Sequence, residues 1–454
     1  VSDLPIRDRI TALRRRLPDR EQRAALQDKL GERVMGAPGS PFSPRRWRSP
    51  LRGPWLTSVF GAVLLVGIPV EFITGLLSYD SYNPRLGHNN PTPHTGILSF
   101  YLFSWWSAPQ WLFRLTEGIH IGLGLVLTPV LLAKLWSVIP KLFAWPPLRS
   151  LAQMLERLSL VLIVGGAVFE FATGIMNIDY DYSFKFSFYQ GHFLGAWAFM
   201  AGFVIHITLK IPLMLRSLRS RPFRGELRTS LADTRSEPLD PGGLVAVAPG
   251  APTISRRGAL ALVGGSSLAI FVLTIGQTVG GFTRKAALLA PRGRSYGSGP
   301  DDFQINRTAF TAAIRPADTG SSWRLTLSGA TTTDLTRSTL LTMSHLDVSM
   351  PIACVEGWST TQRWSGVSLM DLARLVGVER PTGAYVQSLE KNGEFKQVTL
   401  AGNQVRAGHA MLALRVNGAD LSLDHGFPAR LMIPAAPGVH CTKWVRSIQF
   451  YGAQ

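Results

Sequence analysis

Five apolar stretches, each long enough to cross a lipid bilayer, occupy the first two thirds of this chain and leave few folds open to it. They run over roughly 55–77, 115–137, 157–177, 190–213 and 258–282. About 20 consecutive apolar residues are needed for a helix to span hydrocarbon, and inside lipid only helices and closed barrels satisfy their own backbone. The stretches show no strict alternation, so they predict helices. Charged residues make up 17% of the 454 residues, against about 25% in a typical soluble chain. Membrane spans explain that shortage better than an unusually apolar core.

The net charge is +18. The basic residues lie beside the apolar stretches, as orientation signals do, and no nucleic-acid motif accompanies them, so no nucleic-acid partner is expected. Residues 1–54 are polar and Pro-punctuated, with Arg14-Arg15-Arg16 and Arg45-Arg46. They read as a basic cytoplasmic arm, partly disordered and without a cleavable leader. Lys134, Lys141, Arg149 and Arg157 follow the second stretch, and Lys210, Arg216, Arg219, Arg221, Arg224, Arg228 and Arg235 follow the fourth. The 178–189 loop sets Asp179 and Asp181 against Lys185 alone. The positive-inside rule then places the N-terminus in the cytoplasm and everything beyond residue 282 outside it. Residues 214–255, rich in Pro, Gly, Arg and Ser, read as a cytoplasmic linker with no helical period.

The first four spans, residues 55–213, contain an internal repeat. Val70-Glu71-Phe72-Ile73-Thr74-Gly75 matches Phe169-Glu170-Phe171-Ala172-Thr173-Gly174. Gly118-Ile119-His120 opens the second span much as Gly191-His192 opens the fourth. A helix pair used twice accounts for both matches. Histidines within spans are expensive and normally serve a function or hold a partner. His120 and His192 start spans that run in the same direction, so they share a depth. Two imidazoles at one level suit axial ligation of a b-type haem. His206 follows His192 by 14 residues, within about 40° of the same helix face and ~21 Å along it, and is a candidate ligand for a second haem. The position 14 after His120 is Lys134, so that second level lacks a matching histidine. Interhelical hydrogen bonding is the alternative use of all three. Glu71 and Glu170 either pass protons or cap polar helix contacts. By its histidine placement this segment resembles bacterial cytochromes b of the b561 and hydrogenase type. The resemblance implies haem b, a quinone or quinol partner and a bacterial cytoplasmic membrane.

Ser255-Arg256-Arg257-Gly258-Ala259-Leu260 stands at the head of the fifth span, 256–282. It resembles the twin-arginine export signal, which moves proteins folded around their cofactors. A plain positive-inside flank is the alternative.

From about residue 300 to 454 the pattern becomes short alternating runs such as 323–327 and 385–389, separated by Gly and Asn turns. Leu369 to Val376 is the clearest helix. These features predict a strand-rich α+β domain. Its two cysteines, Cys354 and Cys441, rule out a disulfide framework and leave room for at most one bridge. Cys354 lies in Ile352-Ala353-Cys354-Val355-Glu356-Gly357-Trp358. Further on come His425-Gly426-Phe427-Pro428-Ala429-Arg430 and Lys443-Trp444. A thiolate is a soft metal ligand, and Arg and Lys suit a phosphate. A buried, chemically idle cysteine is the alternative.

Those motifs, in that order over roughly 303–451, resemble the sulfite oxidase superfamily, including exported bacterial methionine-sulfoxide reductases. The resemblance implies a molybdenum–molybdopterin cofactor, with Cys354 as molybdenum ligand and catalytic residue. It implies that His425, Arg430 and Lys443 hold the pterin and its phosphate, with Asn306 of Phe303-Gln304-Ile305-Asn306-Arg307 as a further cofactor candidate. Cys441 reads as structural. The domain is shorter than is usual in that family, and the upstream basic-His segment and the C-terminal immunoglobulin-like domain are not apparent. Together the two resemblances imply an oxidoreductase moving electrons between the quinone pool and an external sulfoxide- or sulfite-like substrate through haem b. The alternative is a cytochrome b carrying a catalytically inactive binding or sensory domain.

Overall fold

A computed structural model describes residues 20–37, 40, 43, 46–89, 101–143, 151–179, 182–240, 243–292, 296–393 and 396–452. Arg14-Arg15-Arg16, Arg45, Arg149 and Asp181 lie outside the described residues.

The apolar stretches form five long helices: α2 (Pro54–Ser81), α3 (Leu112–Leu142), α4 (Leu151–Ile178), α5 (Phe188–Ser220) and α7 (Arg256–Thr274). By length and composition all five could cross a membrane. Large apolar side chains such as Val66, Ile73, Leu132, Val161, Leu209 and Leu262 stand exposed on them, as on a helix made for lipid. One part of the sequence reading needs correction: residues 214–255, read as having no helical period, are helical at their start, because α5 runs on to Ser220 and α6 (Phe223–Arg228) follows. Within the N-terminal arm, α1 (Arg20–Gly36) forms. Leu, Met and Arg propagate helices well, and Arg219 in the last turn of α5 complements the helix dipole. Span length alone does not register either effect.

The chain divides into two compact units, and the division falls within each long helix. The first takes residues up to 65, 129–166 and 198–264. Here Glu237 caps α2, accepting from the Trp55 backbone N–H at 3.1 Å. Lys134 of α3 donates to the Thr57 carbonyl at 2.7 Å. Glycines let α4 and α5 approach closely: a Cβ on Gly202 would stand 3.0 Å from Cβ of Leu162. Arg256, at the head of α7, is 1% exposed. It pairs with Glu226 at 3.2 Å and donates to the Arg235 carbonyl at 2.7 Å. The first arginine of the twin pair therefore has a structural use in the folded chain.

The second unit takes residues 66–128, 167–197 and 265–454. Its strand-rich part holds two five-stranded sheets. In the first, β2 (Thr332–Leu335), β1 (Leu325–Ser328), β10 (Val445–Gly452), β5 (Pro381–Ser388) and β6 (Gln397–Ala401) lie in that order. Among the described residues, only β1 and β10 pair in parallel. The second runs β3 (Leu346–Ala353), β4 (Ser359–Ser368), β7 (Met411–Val416) and β8 (Ala419–Asp420), with β9 (Arg430–Met432) also on β7. The runs at 323–327 and 385–389 thus fall on β1 and β5, and the expected helix is Leu369–Leu375.

Alternation along β7 explains where the site lies. Leu412 and Leu414 join one core cluster with Leu325, Val386 and Ile448 of the first sheet. Met411 and Ala413 point the other way, into a second cluster with Cys354, Trp358 and Cys441. β7 and β9 are thus almost wholly buried, and the face of Met411 and Ala413 is the one turned toward Cys354.

Candidate functional site

Cys354 occupies the tip of the β3–β4 hairpin. Its N–H donates to the Trp358 carbonyl at 2.9 Å, and its own carbonyl accepts from Gly357 N–H at 3.0 Å. Gly357 has a φ of 86°, a conformation open to glycine at little cost. Glu356 points back under the loop. It accepts from Trp358 Nε1 at 2.5 Å and pairs with Arg292 at 3.1 Å. Arg292 also donates to the Asn306 carbonyl at 3.1 Å, tying the hairpin tip to the segment 303–306. Burial, and then the Glu356 carboxylate, push the Cys354 thiol well above its usual range. A thiolate here requires a metal to displace the proton. Cys441 is also a buried free thiol, so the two cysteines form no bridge.

Cys354 lines a cavity together with Asn306, His425, Arg430 and Lys443. All the residues the sequence reading assigned to the external site therefore meet in one place. Arg430 is 4% exposed and Lys443 9%, and neither forms an ion pair with a carboxylate among the described residues. Lys443 Nζ donates to the carbonyls of Arg307 at 2.5 Å and Asp424 at 2.9 Å. Arg430 reaches the His425 carbonyl at 3.4 Å, and its Nε has no hydrogen-bond partner. Burial lowers Arg430 to about 10 and holds Lys443 well below its ordinary value. Two unpaired buried cations are costly, and an anion between them removes that cost. His425 sits under Phe303, ring centroids 3.7 Å apart. Its Nε2 lies 2.8 Å from the Asp301 carbonyl, which can only accept, so Nε2 carries the hydrogen and Nδ1 is left as an acceptor. Burial, then Arg430, lower this imidazole to about 3, and it is neutral. The donor set thus fits a phosphate-bearing organic chelate whose metal meets the thiol.

Sequence reasoning missed two residues. Gln304 lines the cavity, is 2% exposed, and leaves both amide atoms without a partner. His440 is buried with both ring nitrogens unpartnered and packs edge-on against Tyr82, centroids 5.2 Å apart. Buried polar groups without partners are rare, but nothing in a sequence marks them.

The second site lies in the helices of the same unit. The His120 and His192 ring centroids are 6.3 Å apart, with the planes at 89°. That separation would leave room for one metal ion between the two rings at ordinary nitrogen–metal bond lengths of about 2 Å. Nδ1 of each ring is held by a glutamate, Glu71 for His120 and Glu170 for His192, both at 3.2 Å. Nε2 of each has no hydrogen-bond partner among the described residues. The rings therefore fit a bis-imidazole metal site. Both glutamates stand on the histidines, which sequence reasoning had not linked to them. His206 falls in the other unit.

The two sites are close neighbours. A Cβ on Gly357, three residues from Cys354, would stand 2.6 Å from Cγ2 of Ile121, which follows His120. Thr278, in α8 (Gly276–Val279), donates from its hydroxyl to the Gly357 carbonyl at 2.6 Å, and its own carbonyl accepts from Ser359 Oγ at 2.6 Å. Trp105 Nε1 donates to the Ala435 carbonyl at 2.6 Å.

A strand-rich domain with a thiol facing buried cations, packed on helices that pair two histidines, is the architecture of a redox protein. Residues 312–454 match the model of the family described as oxidoreductase molybdopterin binding domain. The C-terminal part of the chain therefore belongs to that family, joined here to helices fit to cross a membrane. The cavity extends upstream of the matched residues, to 303–306. The chain is 35% identical over 100 residues to the uncharacterized oxidoreductase YuiH of Bacillus subtilis, covering 22% of this chain and 49% of that one. It is 31% identical over 99 residues to the sulfite oxidase of Arabidopsis thaliana, covering 19% and 25% respectively. It is 28% identical over 148 residues to the putative protein-methionine-sulfoxide reductase subunit YedZ1 of Azospira oryzae, covering 32% and 55%. The chain thus spans between a quarter and just over half of the length of these relatives.

Proposed function

We propose that the chain is a membrane-bound molybdopterin-dependent oxidoreductase that exchanges electrons between the quinone pool and an extracytoplasmic substrate through haem b. The observation that carries this reading is the packing of Gly357, in the Cys354 hairpin, against Ile121, the residue after His120. A contact so placed leaves only a few bonds and one van der Waals step between the two sites. In this reading residues 1–54 form the cytoplasmic arm, 55–213 the haem bundle, 214–255 the cytoplasmic linker, 256–282 the exported span and 300–454 the external domain. Cys354 ligates molybdenum. Arg430 and Lys443 hold the pterin phosphate, while His425 and Asn306 hydrogen-bond the pterin. His120 and His192 are the haem ligands, and His206 is the candidate for a second haem.

When bound, molybdenum–molybdopterin supplies two-electron oxygen-atom transfer and haem b supplies single-electron steps. The protein positions the thiol, neutralises the phosphate, and fixes the distance between centres. We favour the reducing direction, in which a sulfoxide takes up two electrons from a quinol and two protons, and yields a sulfide and water. The sulfoxide reductase subunit among the relatives supports that direction, and sulfite oxidation is the reverse case.

Metal and haem analysis of the purified chain tests the proposal. The wild type is expected to hold molybdenum and a b-type haem, and Cys354→Ala to lose molybdenum-dependent turnover while keeping the haem spectrum. Turnover undiminished in Cys354→Ala would remove the proposed ligand.

A further inference from the structure

The repeated hexapeptides of α2 and α4 fold against the two histidines in the same way. In α2, Glu71 approaches Nδ1 of His120 with its carboxylate at 3.2 Å and its carbonyl at 3.0 Å. Thr74 Oγ1 lies 3.2 Å from the same nitrogen. Gly75 follows, and a Cβ there would come within 3.1 Å of the His120 ring. In α4, the Glu170 carboxylate is 3.2 Å and Thr173 Oγ1 3.0 Å from Nδ1 of His192. A Cβ on Gly174 would stand 3.8 Å from that ring.

The threonines narrow the ambiguity about protons. Thr74 donates to the Val70 carbonyl and Thr173 to the Phe169 carbonyl, both at 2.8 Å. Each hydroxyl hydrogen is committed, so each Oγ1 can only accept from the ring. At His120 the Glu71 carbonyl can only accept, so Nδ1 carries the hydrogen there; at His192 the same holds wherever the Glu170 carboxylate is ionised. Nε2 is left with its lone pair. A metal-ligating histidine requires this tautomer, and a hydrogen bond at the far nitrogen raises the basicity of the ligating one.

We propose that Glu71-Thr74-Gly75 and Glu170-Thr173-Gly174 are two copies of one positioning cradle, which sets the tautomer and ring angle of each histidine and thereby the potential of the haem between them. The proposal rests on the haem reading above. Glutamate and threonine orient each ring, and Gly75 clears the slot in which His120 lies, whereas a Cβ on Gly174 would make only ordinary contact with His192. Electron density pushed onto Nε2 favours ferric iron, so the cradle holds the potential down. Because the cradle is duplicated, weakening either copy moves the potential the same way.

The test uses the full-length chain in detergent, with redox titration of the haem band, haem per chain and molybdenum per chain as readouts. Glu71→Gln and Glu170→Gln keep size and an acceptor but lose the carboxylate. Each is expected to raise the midpoint potential, and the double variant to raise it further. Thr74→Val and Thr173→Val are expected to lower haem affinity by about tenfold to a hundredfold, at unchanged molybdenum content. Haem lost from a glutamine variant that retains molybdenum and thermal midpoint also supports the cradle, since only ring orientation has then failed. Full haem at an unshifted potential in all four single variants would overturn it. A wild type without a b-type spectrum removes the haem reading itself, and the cradle with it.

Discussion

Arg430 shows most directly how a single residue reports on the kind of ligand its site suits. Its guanidinium is buried, has no carboxylate partner among the described residues, and has one nitrogen without any partner. Replacing a buried charge by an apolar side chain of similar size is often neutral or stabilising by about 1–4 kcal/mol. Arg430→Met is therefore expected to raise the thermal midpoint of cofactor-free protein while abolishing retention of the pterin. A fall in both would place the guanidinium in the core rather than on the phosphate. The histidines make a second prediction at this scale. Burial lowers both His425 and His440 to about 3. In the unfolded chain they titrate near their ordinary value of about 6.5. Between those limits the unfolded state binds more protons, so stability is full above about pH 6.5 and is lost as pH falls through the window. Two such groups give a slope approaching about 2.7 kcal/mol per pH unit. Thermal midpoints of cofactor-free protein between pH 7.5 and 5 should follow that trend, with His440→Asn roughly halving the slope.

At the scale of elements, the strand-rich domain meets the helix ends through the Cys354 turn, the start of β4 and the edge strand β6. Gly357 lies in the first of these. A side chain there meets Ile121 and must also adopt a positive φ. Gly357→Val is expected to slow electron passage from a reduced haem to substrate by at least about tenfold through the lost contact, with some general destabilisation of about 1–3 kcal/mol. Stopped-flow reoxidation of the haem at unchanged metal and haem content separates the two effects, and an unaltered rate would exclude this route. The edge of the first sheet is another such place. Asn89 donates to the Thr399 carbonyl at 2.7 Å and accepts from its N–H at 2.8 Å. One amide thereby satisfies Thr399 at the open edge of β6, where unpaired backbone groups can recruit other chains. Asn89→Ala should speed hydrogen exchange at the Thr399 amide and leave the amides of β5 protected.

For the whole molecule, the five candidate spans among the described residues and the clustering of arginines set residues 214–255 and 300–454 on opposite sides of a membrane in the proposed reading. Trypsin added to inverted membrane vesicles is expected to cut within 214–255 and leave 300–454 intact, whereas right-side-out vesicles give the reverse. Digestion of both segments from one side would overturn the orientation. Arg256 belongs to this scale as well. Its buried pair with Glu226 means that Arg256→Lys disturbs folding of the first unit whatever it does to export, so Arg257, which is exposed, is the cleaner position at which to probe export.

The sequence by itself determined the five helices, because length and apolarity are local properties that lipid-compatible backbones must satisfy. Through the family resemblance that its motifs carry, it also pointed to Asn306, Cys354, His425, Arg430 and Lys443 as members of one site, and these residues line one cavity. What tertiary structure alone decided were the meetings between distant segments. Gln304 and His440 became visible only through the absence of partners. The hexapeptide repeat was plain in the sequence, but its target was not: Glu71 and Thr74 reach a histidine 49 and 46 residues away. The contact of Gly357 with Ile121 joins positions more than two hundred residues apart in the chain. Local periodicity and composition constrain a segment's own conformation. They do not encode which other segment packing brings to within van der Waals distance, and in this protein the sites are made of those encounters.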